Sequence, residues 1–182
     1  TGLLPLITAA KQARKPIRIG ANHGSLSDRI LSKYGDTPLG MVESAMEYLR
    51  IFQKYDYSDI VVAMKAADPL IMIEANRLLV VTLDQEGMDY PIHLGVTEAG
   101  NAEDGRAKST IGIGTALLEG IGDTIRVSLT EAPEKELPVC YSILQATRRR
   151  ITKTEFISCP SCGRTLFDLE TVTNKVKERL GH

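Results

Sequence analysis

The stretch from Ser58 to Lys65, with Asp59-Ile60-Val61-Val62-Ala63-Met64 inside it, constrains this chain most. It is almost continuously apolar and rich in β-branched residues, as a strand buried on both faces must be, and such strands belong to parallel sheets covered by helices. Asp68 and Pro69 follow at once as a helix N-cap and first helical residue, and the helix they start is expected to run to Gly87. The alternation recurs along the chain. Thr1 to Ala13 reads as the tail of a helix, broken at Lys15-Pro16, and Ile17 to Asn22 as a short strand. Ser25 or Ser27 caps a short helix through Lys33, ended by Gly35, and Thr37-Pro38 starts another whose apolar face is Val42, Ala45, Leu49 and Phe52. Tyr90 to Val96 reads as a third strand, with a polar loop from Asn101 to Lys108 and a helix from Ser109 to Gly120. Asp123 to Leu129 reads as a fourth, with a helix from Glu134 to Arg148.

Four strand–helix units of about 35 residues each imply an α/β fold with a parallel sheet, and a TIM-type barrel of eight such units takes about 250 residues. The units therefore fit either an open four-stranded sheet or half of a barrel. The barrel-type part is expected to occupy residues 1–150, and something different begins at 151–182, where Asp168 opens a last amphipathic helix.

The 22 basic and 23 acidic side chains leave a net charge of −1, which argues against nucleic acid or an anionic membrane as the main partner. No apolar run is long enough to span a bilayer, and the N-terminus lacks the pattern of a secretory signal. The 3 cysteines make no disulfide framework. A reducing, cytoplasmic setting is the simplest reading.

Two of those cysteines form a knuckle, Ile157-Ser158-Cys159-Pro160-Ser161-Cys162-Gly163-Arg164. The spacing lets Cys159 and Cys162 point into one tight turn, with Gly163 free to take the left-handed conformation and backbone N–H groups available to the sulfurs. Such a turn holds half of a tetrahedral site, for zinc or for iron in an iron–sulfur cluster. By itself it favours a zinc ribbon.

Chemistry in a parallel sheet gathers at the C-terminal ends of strands. Those ends carry Arg18 and Asn22, Lys65 and Asp68, Thr97 and Glu98, Arg126 and Ser128. Cations, amides and hydroxyls outnumber carboxylates, which suits a phosphate or diphosphate. Lys108 and Ser109, read as the opening of a helix, add an anion-binding N-terminus. Each feature also has a plainer reading. Lys65, Asp68 and Glu98 fit solvated loop charges, Gly112 and Gly114 fit close helix packing, and Arg126 fits an ion-paired core residue. His23 and His93 fit structural histidines, and Cys140 fits a small hydrophobe. Arg148-Arg149-Arg150 is a solvated basic patch or a face for an acidic electron carrier.

Seven segments in one order carry a resemblance: Arg18 to Asn22 followed by His23-Gly24-Ser25-Leu26, Met64 to Asp68, Gly95 to Gly100, Lys108 to Gly114, Gly120 to Leu129, and Ile157 to Arg164. Together they resemble the 4-hydroxy-3-methylbut-2-enyl diphosphate synthase family of the methylerythritol phosphate route to isoprenoids. Asn22 to Arg29 and Glu103-Asp104-Gly105-Arg106 are most similar to the plant and bacterial branch that carries a large insertion, although only Glu131 to Thr154 lies between the two parts here. The resemblance implies a TIM barrel that binds a cyclic diphosphate, and a 4Fe–4S cluster on a small α+β domain. Reductive ring opening and dehydroxylation would use electrons from ferredoxin or flavodoxin, in a homodimer. It implies Glu98 at the reacting carbons, and Arg18, Asn22, Lys65, Arg126 and Ser128 around the diphosphate; Asp68 and Thr97 at the strand ends, and Lys108 and Ser109 at the helix start, are expected to join them in binding the substrate. Cys159 and Cys162 would be two cluster ligands; a third cysteine and a ligand glutamate are not in this chain. The chain is thus expected to be half of the barrel with the start of the cluster domain, inactive alone. The competing expectations are an α/β binding module stabilised by a zinc ribbon that His182 or Cys140 completes, without redox activity, and a half-barrel that pairs with a separate chain.

Overall fold

The computed structural model of the chain describes residues 2–180. It is an α/β arrangement of parallel strands and helices. Helix α1 (Leu4–Ala13) ends at Arg14, which takes the left-handed conformation. Strand β1 (Ile17–Asn22) pairs in parallel with β2 (Ile60–Lys65), in a register that sets Arg18 beside Val61 and Asn22 beside Lys65. Between them lie α2 (Asp28–Tyr34), capped by Gly35, and α3 (Pro38–Lys54), whose N-cap Thr37 accepts a hydrogen bond from the Gly40 amide. Helix α4 (Pro69–Gln85) follows with Asp68 as cap. Val42, Ala45, Leu49 and Phe52 are all buried, as their spacing requires.

The third and fourth strands pair over less of their length than the sequence suggests. Strand β3 (His93–Leu94) pairs in parallel with β4 (Thr124–Ile125), and single bridges join Val62 to Ile92 and Ala66 to Val96. The apolar run from Tyr90 to Val96 is a full strand's worth of sequence, yet only its middle keeps a continuous ladder. The order across the sheet is still β1, β2, β3, β4. Sequential parallel order is how a barrel is laid down, whereas a doubly wound sheet reverses direction at its centre. Among the described residues the strands do not close into a barrel.

Helix α5 (Ala102–Leu118) begins seven residues earlier than the sequence reading placed it. Asn101 is its N-cap residue, and Glu103 and Asp104 sit in its first turn, where the positive end of the helix favours carboxylates. Lys108 and Ser109 therefore lie inside the helix and present no free backbone N–H groups to an anion. A short 3-10 turn (Pro133–Lys135) leads into α6 (Glu136–Ala146).

Successive helices are tied by arginine–carboxylate pairs. Arg29 on α2 meets Glu47 on α3, Arg50 on α3 meets Glu86 at the end of α4, and Arg77 on α4 meets Glu119 at the end of α5. Beneath them Gly112 of α5 approaches so closely that a Cβ would stand 2.6 Å from Val96 and 2.9 Å from Met72. Close packing is thus why glycine stands there. Beyond Arg150 the character changes: none of residues 151–180 is buried, including those of the last helix, α7 (Leu169–Leu180). Among the described residues no helix is long and apolar enough to cross a membrane.

Candidate functional site

In parallel strands, residues in register share a face and every second residue returns to it. The β1–β2 register places Arg18, Gly20 and Asn22 with Val61, Ala63 and Lys65. The bridges carry that face to His93 and Gly95, and the β3–β4 register carries it to Thr124 and Arg126. Arg18, Asn22, Lys65 and Arg126 therefore stand on one face of the sheet. Charge reports their closeness: burial together with Arg18 and Arg126 lowers the pKa of Lys65. Among the described residues the one carboxylate that approaches Arg126 is Glu136, 3.9 Å away. The face is concentrated positive charge with little internal neutralisation, on a scaffold of fixed strands.

The Lys65 side chain lies over Gly95 of the neighbouring segment. A Cβ there would be 3.5 Å from Lys65 Cε, 3.8 Å from its Nζ and 3.1 Å from the Arg126 carbonyl oxygen. His93, two residues earlier on the same face, is 8% exposed. Its Nδ1 is 2.8 Å from Thr124 Oγ1, while Nε2 is buried without a partner. Burial, then Lys65, Arg18 and Arg126, push its pKa down to about 4. The sequence signal for His93 was its place in phase with Lys65 and Arg126, which single-strand patterning does not weigh.

The other expected residues are placed as follows. Asp68 Oδ1 accepts from the Leu70 amide at 2.8 Å and so caps α4. Thr97 donates its amide to the Ala66 carbonyl at 3.0 Å, at the strand end. Glu98 is exposed just beyond, in the left-handed conformation with φ 52°. That conformation is costly for a residue with a Cβ and recurs at functional sites. Ser128 is half-buried in the segment after β4, and Lys108 is exposed on α5. Ser109 is fully buried on α5, its hydroxyl unpartnered.

The knuckle is exposed at both cysteines. The backbone N–H and side chain of Arg164 donate to the Cys162 sulfur and lower its pKa, as a turn that holds thiolate should. The left-handed residue is Ser161, φ 85°, rather than Gly163. Beside it lies a hollow of about 530 Å³ lined by Ser158, Cys159, Phe167, Asp168 and Lys177. Two thiolates fit two corners of a metal site. Among the described residues no group of three or more His, Cys, Asp and Glu converges on a metal position. Cys140 is half-buried and packs against the core from α6, and His182 lies outside the described residues.

Residues 2–141 match the GcpE TIM-barrel domain. The chain belongs to this family. Over 178 residues it is 62% identical to the 4-hydroxy-3-methylbut-2-en-1-yl diphosphate synthase (ferredoxin) of Prochlorococcus marinus (strain MIT 9313), covering 98% of this chain and 44% of that protein. The enzymes of the same name from Gloeothece citriformis (strain PCC 7424), 61% identical, and Picosynechococcus sp. (strain ATCC 27264 / PCC 7002 / PR-6), 60% identical, are each covered over 180 residues, which is 99% of this chain and 44% of theirs. The chain spans about 44% of the length of these curated relatives. The match to the GcpE barrel agrees with the sequential parallel order of the strands.

Proposed function

We propose that this chain supplies part of the substrate-binding barrel, and two cluster ligands, of a ferredoxin-dependent 4-hydroxy-3-methylbut-2-enyl diphosphate synthase. In this reading 2-C-methyl-D-erythritol 2,4-cyclodiphosphate binds at the strand ends, and two electrons open its ring and remove a hydroxyl as water. The observation that carries the reading is the gathering of Arg18, Lys65 and Arg126 on one sheet face with Asn22 beside them. A cyclic diphosphate brings negative charge to a small volume, and fixed cations with directed N–H groups bind it more firmly than mobile water does. Arg18 and Arg126 would grip phosphate oxygens by their planar forks, Lys65 would reach between them, and Asn22 and Ser128 would fix orientation. Glu98, held at the rim after β3, would hydrogen-bond the carbon-borne hydroxyl that leaves or donate its proton.

Cys159 and Cys162 would hold two corners of a 4Fe–4S cluster, which supplies single electrons when bound. Among the described residues no third ligand converges with them. Domain division near Arg150, ferredoxin as electron donor and assembly as a homodimer complete the proposal. It is supported by the relatives' names and by the loss of buried side chains beyond that point.

Calorimetric titration with the cyclic diphosphate tests the binding half of the reading. Arg18→Met, Lys65→Met and Arg126→Met should each weaken affinity by about tenfold or more, as removal of a charge-assisted hydrogen bond does. Unchanged affinity in all three would refute it.

A further inference from the structure

His93 lies on the cationic face yet serves no purpose so far described. Arg18 from β1, Lys65 from β2 and Arg126 just after β4 are the charged groups whose fields reach its ring. With its pKa lowered by burial and by those cations, the ring is neutral at pH 7 and carries one proton. Two placements compete. If Nδ1 holds the proton, it donates to Thr124 Oγ1, and Nε2 keeps a lone pair within the field of the three cations. If Nε2 holds it, a buried N–H without an acceptor adds partial positive charge to that same field. Electrostatics selects the first, and the hydrogen bond made by one ring nitrogen fixes the state of the other. Nε2 is then an acceptor, enclosed and unsatisfied, an arrangement that costs free energy unless a donor arrives. Lys65 is placed to be that donor, because its Cε and Nζ lie over Gly95, two residues from His93 on the same face.

We propose that His93, oriented by Thr124, is a positioning residue whose bare Nε2 accepts a hydrogen bond from the Lys65 ammonium when an anion binds. One of the three Lys65 N–H groups is thereby committed to the protein, and the other two are aimed at phosphate oxygens. The inference rests on the anion-site reading above and adds to it a residue and a tautomer.

The test uses inorganic pyrophosphate as probe, on the full chain at pH 7. Long-range proton–nitrogen spectra of the His93 ring should show Nδ1 protonated and Nε2 bare. A protonated Nε2 overturns the proposal. In calorimetry, His93→Leu should weaken pyrophosphate binding by about tenfold or more. His93→Gln, whose amide oxygen can accept in place of Nε2, should recover affinity to within about threefold of the parent. In a Lys65→Met background, His93→Leu should change nothing, since the partner is gone. Equal losses with and without Lys65 overturn the proposal. If His93→Leu does not fold, Thr124→Val carries the same comparison, because it frees the ring without removing it. Absence of pyrophosphate binding by the parent chain would sink the anion-site reading itself, and the tautomer of the ring would still decide the role of His93.

Discussion

The Lys65 side chain lies directly over Gly95 of the neighbouring segment. A Cβ at that position would meet Lys65 Cε at an ordinary contact distance of 3.5 Å and crowd the Arg126 carbonyl oxygen at 3.1 Å, so a side chain larger than alanine there would have to push Lys65 aside. Gly95→Val should displace Lys65 and weaken pyrophosphate binding by about tenfold or more. Gly95→Ala should have a smaller effect in the same direction. Titration calorimetry of the two variants checks the order, and equal affinity in Gly95→Val and the parent would show that the spacing is irrelevant to binding.

Gly112 gives a test with an unusual sign. In an exposed helix, glycine to alanine stabilises by about 1 kcal/mol. Here the added methyl group meets Val96 at 2.6 Å and Met72 at 2.9 Å. Overpacking should win, and Gly112→Ala should destabilise the chain by about 1–3 kcal/mol. Urea unfolding followed by circular dichroism measures this, and a gain in stability would mean that α5 lies farther from β3.

Acid should weaken the fold through His93 before it reaches the carboxylates. The folded pKa is about 4 and the ordinary value 6.5. Between those values the unfolded chain binds the proton and the folded chain does not, so stability rises with pH across the interval. The contribution is fully present above about pH 6.5 and is lost as pH falls toward about 4. His93→Leu should flatten stability against pH in that window. A parallel curve for parent and variant would contradict the burial and charge that surround the ring.

Cys162 should react with iodoacetamide at neutral pH faster than an ordinary thiol, because the Arg164 amide and side chain stabilise its thiolate. Arg164→Gln should slow the reaction without abolishing it, since the backbone N–H remains. Peptide mass mapping of timed alkylation reads both rates, and an Arg164→Gln rate equal to that of the parent would remove the side chain from the account.

Much of the scaffold was legible in the residues themselves. β1 and β2 fall where their apolar phase puts them, and Thr37, Asp68 and Gly35 punctuate helices as their side chains dictate. The start of α5 was missed because Asn101 to Gly105 has the composition of a loop. The acidic first turn after an asparagine was the available signal. The short ladders of β3 and β4 were not legible, because hydrogen-bond register depends on neighbouring strands and not on the strand's own pattern. For the same reason Arg18, Lys65 and Arg126 could be nominated singly, whereas His93 acquires meaning only when four strands are laid side by side. Thr97, Glu98 and Ser128 were nominated from strand ends; Thr97 and Glu98 follow the single bridge at Val96, and Ser128 lies three residues beyond β4.

The stretch from 151 to 180 contains no buried side chain, although Ile157, Leu166 and Phe167 are large and apolar. A thiol pair carried on such a segment brings little preorganisation to the ion it receives. Capture of iron by Cys159 and Cys162 would then be the same event as the ordering of the chain around them, and a measured metal affinity would be ligation strength less the entropy surrendered.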